Sequence, residues 1–169
     1  MNIGHQLLFT RDSLAAWAKG NNAPVKIAGD LNDLITLLQE APAAPRVVVM
    51  FHREAKRGVH EEAGMVDRFF WVTIARAKGL KIEPGANLVN GGTAGSKPLF
   101  LLADEARQII RNLQFSAAST EVTPNFISME PLAINGVMAT DALRLEFSVG
   151  TLLAAVAVAD PTNPLNLTA

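Results

Sequence analysis

Leu99, Leu102, Ala103, Ala106, Ile110 and Leu113 recur at three- and four-residue steps, the spacing that stacks side chains on one face of an α-helix. Asp104, Arg107, Arg111 and Asn112 fall on the other faces. No other stretch constrains the fold as strongly, because an apolar stripe of this length must be covered. Ser96 is placed as the N-cap and Pro98 in the first turn, where a missing N–H costs nothing, so the spacing predicts one helix over 97–114. Its cover has to come from the β-patterned stretches on either side, 68–78 and 143–149, which makes the chain a sheet laid over a central helix.

The segments before it fit that scheme. Residues 3–19 have helical character, with Leu7, Leu14 and Trp17 on one side and Gly20-Asn21 as a stop; residues 24–28 read as a short strand. Asp30 is placed as the N-cap of a second helix marked by Leu31, Leu34, Ile35 and Leu38, ending before Pro42. Val47, Val48, Val49, Met50 and Phe51 are apolar on both faces, which predicts a buried, central strand over 46–52. Charged residues from Arg53 to Gly64 predict a solvated loop, and 68–78 returns as the second arm of a long antiparallel hairpin. Residues 79–95, rich in glycine, read as a flexible connection, and 116–123 as a polar loop. Residues 126–134 are β-patterned, with Pro131 favouring an edge or bulge. Asn135-Gly136 signals a tight turn, and Leu143, Leu145, Phe147 and Val149 alternate with Arg144, Glu146 and Ser148.

The fold class is therefore α/β in the broad sense (α+β): a mostly antiparallel sheet with a long hairpin, packed against a long central helix and flanking N-terminal helices. One α/β domain is expected over 1–150, with a protruding hairpin loop at 52–66 and an extended C-terminal tail at 151–169. A formal net charge of -1 and a pI near 6.3 argue against a domain built to grip phosphates, and the absence of cysteine excludes disulfides and thiolate metal sites. An apolar share of 49% with 18% charged residues and a mean hydropathy of +0.21 is high for a free monomer, so an oligomer is expected. No signal peptide is visible, and the longest apolar run, near Leu152 to Ala159, is too short to span a membrane.

Candidate chemistry is sparse. The glycines before Lys97 resemble a phosphate loop, but Ser96 replaces its last glycine and Pro98 its hydroxyl residue. His52, His60, Glu61 and Glu62 offer nitrogen and oxygen ligands at no tight metal spacing, and a solvated loop is the simpler reading. The different-class alternative they leave is a small metal-dependent enzyme using His52, His60 and Glu61. No Gly-x-Ser-x-Gly elbow exists, so the chain is read as no enzyme, with no catalytic residue, metal or other cofactor. Arg53, Lys56 and Arg57 form a basic cluster at the hairpin tip, which on a ring becomes a collar of positive charge, partly offset by Glu54, Glu61 and Glu62.

The order of parts is more specific than any one of them: an N-terminal helix, a short strand and small helix, Pro45-Arg46-Val47-Val48-Val49-Met50-Phe51, a polar loop, Arg68-Phe69-Phe70-Trp71-Val72-Thr73-Ile74, a helix near 98–113, and strands ending Leu143-Arg144-Leu145-Glu146-Phe147-Ser148-Val149. Over Ile3 to Val149 this resembles the tail terminator (tail completion) proteins of long-tailed bacteriophages. The resemblance implies a virion structural protein: a homohexameric ring at the tail-neck junction, assembled in the host cytoplasm, that caps the head-proximal end of the tail tube and stops its growth. Implied partners are further copies of the chain, the tail tube protein, a neck or head-tail connector protein and, in a contractile tail, the sheath. DNA passes only as cargo through the lumen, and no membrane is involved. Arg53, Lys56, Arg57, His60, Glu61 and Glu62 then become a candidate lumen or inter-subunit loop, and Leu152, Leu153, Val156, Val158 and Leu165 a candidate interface tail. Another neck or head-tail joining protein is the nearest alternative.

Overall fold

The computed structural model describes residues 2–40, 44–56, 65–77, 86–91, 96–117, 120–132 and 140–152. Its elements run α1 (Ile3–Gly20), β1 (Val25–Ala28), α2 (Leu31–Gln39), β2 (Arg46–Lys56), β3 (Met65–Ala77), α3 (Ala86–Val89), α4 (Leu99–Arg111), β4 (Phe115–Ala117), β5 (Thr120–Val122), β6 (Asn125–Pro131) and β7 (Thr140–Leu152). Five strands form one sheet in the order β1-β2-β3-β7-β6, and β4 and β5 form a separate two-stranded ribbon. Only the β1-β2 pair is parallel, with α2 as its crossover; the other pairs in the sheet are antiparallel. This is the mixed α+β sheet-on-helix architecture that the sequence predicts. Among the described residues, no helix is long and apolar enough to cross a membrane.

The sheet's two faces are covered unequally. Phe70, Val72 and Ile74 of β3 and Leu143, Leu145 and Phe147 of β7 meet Leu99, Leu102, Ala106 and Ile110 of α4 and Leu14 and Ala18 of α1 in the larger core. Phe70 and Phe147 sit opposite each other and stack, with ring centres 5.5 Å apart and an interplanar angle of 19°. On the other face α2 closes a smaller core, in which Leu34 and Leu38 pack with Ala28, Val48, Met50, Ala75 and Ala142. The strict alternation of β3 sends Phe70 and Val72 to one core and Trp71 to the other.

Several expectations require correction. β2 is interior, paired on both sides, but β3 takes the middle of the sheet. α4 begins at Leu99, and Pro98, not Ser96, occupies the N-cap position, its carbonyl accepting from Leu102 at 3.1 Å. The ring of Pro98 steers Lys97 away from helical geometry, which sets the later start. In α1 the buried row is Gln6, Thr10, Leu14 and Ala18, while Leu7 and Trp17 are half-buried. A row half of which is polar escapes an apolar count. The predicted polar loop over 116–123 contains the β4-β5 ribbon, and a short helix, α3, interrupts the predicted connection over 79–95. The Asp30 cap is as expected: its side chain accepts from Asp33 N at 2.9 Å, while Asp33 Oδ2 accepts from Gly29 N at 3.0 Å.

Candidate functional site

Of the segment expected to be a loop at 52–66, the described residues, 52–56 and 65–66, are strand. β2 runs on to Lys56 and β3 starts at Met65, paired from Glu54↔Arg68 to Lys56↔Val66. β7 follows β3 to its start, pairing Met65 with Leu152 and Val66 with Thr151. The hairpin is thus a three-stranded blade, and Thr151 and Leu152, assigned to the tail by sequence, are its third edge. Charged residues hid the extension: at a narrow blade even strand positions stay wet, so hydropathy reads them as loop. Arg57, His60, Glu61 and Glu62, and likewise Leu153, Val156, Val158 and Leu165, lie outside the described residues.

The basic cluster is split by strand geometry. After a bulge between Phe51 and Arg53, Arg53 stacks over the Phe69 ring at 3.9 Å on the α2 side of the sheet. Residues three apart on a strand point to opposite faces, so Lys56 lies on the α1 side with Glu54. Arg53 and Lys56 therefore do not form one patch.

On the α1 side the blade is anchored by a buried polar cluster that composition alone does not disclose. Arg68, 7% exposed, donates from Nε to Glu54 Oε2 at 2.8 Å and from Nη1 to Gln6 Oε1 at 3.2 Å. Gln6 Nε2 donates in turn to Thr151 Oγ1 at 3.0 Å. One helix and all three strands of the blade are joined through these side chains, and the buried guanidinium is offset by the Glu54 carboxylate and the Gln6 amide oxygen.

On the α2 side the sheet carries an aromatic and charged group. His52 packs edge-on against Trp71 with ring centres 4.0 Å apart and a 70° interplanar angle. Arg144 lies over the opposite part of the system, 4.2 Å from the Trp71 ring centre, and is paired with Glu130. Burial against these neighbours pushes the His52 pKa below its ordinary value; Arg53 and Arg144 push the same way and Glu146 opposes them. An open cleft of about 350 Å³ lies between His52, Trp71 and the start of α2 at Gly29, Asp30 and Leu31.

The arrangement offers little for bond-making chemistry among the described residues. The hydroxyls of Thr10, Ser13 and Thr36 donate to main-chain carbonyls of their own helices rather than to a histidine. No group of three His, Asp or Glu side chains among the described residues is placed to hold a metal. His60 and Glu61, which the metal-enzyme alternative needs, lie outside them. Large apolar side chains are exposed at Leu8, Leu31, Val89, Phe100, Leu101 and Ile127, spread over α1, α2, α3, α4 and β6.

No protein-family model and no curated protein matches this chain. Among solved structures, one described only by a sequence identifier is similar at 15% identity with a TM-score of 0.41, covering 88% of this chain and 96% of that chain. A protein from Akkermansia muciniphila, solved without its transmembrane region, is similar at 11% identity with a TM-score of 0.30, covering 90% of this chain and 85% of that chain.

Proposed function

We propose that the protein is a tail terminator of a long-tailed bacteriophage, acting by assembly into a closed ring on the head-proximal end of the tail tube. The observation that carries this reading is the sheet with two unlike open ends. β1 and β6 terminate it on opposite sides, and among the described residues each has one strand neighbour. Unlike ends favour head-to-tail association, in which one surface of a copy meets a different surface of the next, and such contacts close into rings when the rotation permits. The exposed apolar side chains on α1, α4 and β6 supply surface for those contacts. The order of elements, helix, β1-α2-β2, hairpin, α4 and closing strands, supports the same assignment by resemblance. The role needs no reacting group, only shape and copies.

Two measurements test it. Light scattering on the purified chain is expected to give a mass of about six copies, and averaged electron images a ring. Particles assembled without the protein are expected to carry overlong, uneven tails. A monomer at all concentrations that also fails to bind tail tubes refutes the proposal, and normal-length tails without heads transfer the role to the neck.

A further inference from the structure

The two ends of the sheet differ in how open they are to another strand. β6 is blunted by a bulge between Phe126 and Ser128 and by Pro131, which has no N–H to donate. β1, residues Val25–Ala28, has an unshifted register with β2 and no proline within it. Among the described residues β2 is its one strand neighbour, so its outer N–H and C=O groups are a template for strand addition, with the exposed Lys26 as the charge on that strand. Beside it an open cleft of about 420 Å³ is lined by Ala15, Ala23, Pro24 and Val25 together with Arg11 and Lys19. The lining is small and mostly apolar, with Asn22, Lys19 and the Asp12-paired Arg11 around it, which suits a strand of small side chains ending in an acid.

The sequence contains one such segment. After β7, Val156 and Val158 alternate with Ala155, Ala157 and Ala159, the period of a strand, and Asp160 is the single charged residue from 153 to 169. Geometry decides whose edge it can reach. In its own subunit β1 lies three strands from β7, about 14 Å across the sheet. Ala28 is level with Met50, Trp71 and Glu146, whereas β7 ends at Leu152, about 20 Å further along. A chain leaving Leu152 uses roughly seven residues at ~3.3 Å each merely to arrive at Ala28, by which point the apolar segment is exhausted.

We infer that residues 154–160 of one copy add as a strand to the open edge of β1 in the next copy, with Asp160 directed toward the cations of that cleft. The inference rests on the ring reading above, and it gives the ring its link: each copy donates at one end of its sheet and accepts at the other. The occupant is a second copy of this chain, not a foreign peptide.

The absence of cysteine makes the test clean. Lys26→Cys is combined in one chain with Val156→Cys, Ala157→Cys or Val158→Cys in turn, and the protein is oxidised and run under denaturing conditions. At least one pair is expected to give a reducible ladder of two, three and more linked chains, whereas each single variant stops at two. A chain ended after Leu152 is expected to keep its circular dichroism spectrum and lose its assembly. If none of the pairs links chains, or the truncated protein assembles like the full chain, while the full chain remains oligomeric, the strand exchange is refuted and the ring reading stands. A full chain that is monomeric throughout overturns both.

Discussion

Replacing Glu54 by alanine removes a carboxylate partner of the buried Arg68, and the cost can be worked from the geometry. Breaking a fully buried ion pair costs about 3–5 kcal/mol because the remaining charge has lost its partner. Here the Arg68 side chain is 8% exposed but that of Glu54 is 35% exposed, so water reaches part of the vacated position, and Arg68 retains its bond to Gln6. Discounting for that screening leaves about 2 kcal/mol for Glu54→Ala. Arg68→Met removes the buried charge along with its need for partners and fills similar space. The double variant Glu54→Ala/Arg68→Met is therefore expected to be more stable than the sum of the singles by about 1–2 kcal/mol. Urea unfolding of the four proteins, followed by circular dichroism, measures the cycle. Additive effects, or a Glu54→Ala cost below ~0.5 kcal/mol, refute the view that the cluster anchors the blade.

Three further predictions follow from local geometry. Gly91 has φ +77°, and a Cβ there meets Ser96 O at 2.0 Å, so Gly91→Ala is expected to lower the melting temperature and cost at least ~2 kcal/mol from backbone strain and the clash. Burial raises the Glu105 pKa, but hydrogen bonds from Lys97 and Trp17 outweigh it and leave the carboxyl below its ordinary value. That stability is present above the unfolded pKa and lost as pH falls through the folded one, so Glu105→Gln is expected to flatten the decline in urea midpoint below pH 4.5. For His52, whose folded pKa is lowered, the folded state resists protonation, so stability falls as pH drops below 6.5; NMR titration is expected to place His52 below the ordinary value of 6.5, and His52→Gln to remove that part of the pH dependence.

How far the sequence discloses this molecule depends on whether a residue's environment matches its hydropathy. α4 was legible because its apolar stripe faces a core and its polar faces do not. The same holds for the Asp30 cap and for the alternation of Leu143 to Val149. The blade was not: Arg53, Glu54 and Lys56 look like loop because a strand at a narrow end is wet, and the bulge at His52 interrupts its period. Gln6 was missed because its partners, Arg68 and Thr151, lie far away in sequence and meet it only after folding, and Thr10 because its hydroxyl is satisfied locally by the Gln6 carbonyl, which leaves no apolar signal. Of the candidate loop, Arg53 and Lys56 belong to the blade on opposite faces, a separation that the spacing of three on a strand already dictates once the strand is known.

The pairing of β3 with β7 has a kinetic corollary. Met65 waits for Leu152, and Ala77 for Thr140, so the middle strand acquires its second neighbour only after more than sixty intervening residues have been synthesised and brought back. Closing so distant a contact is slow. Until then the nascent chain holds a hairpin with one raw edge and a helix, α4, whose oily stripe has only half its cover. Emergence of residues 140–152 from the ribosome is thus the event that converts a sticky intermediate into a shielded fold, and translation halted before Thr140 is expected to yield aggregates rather than a smaller folded protein.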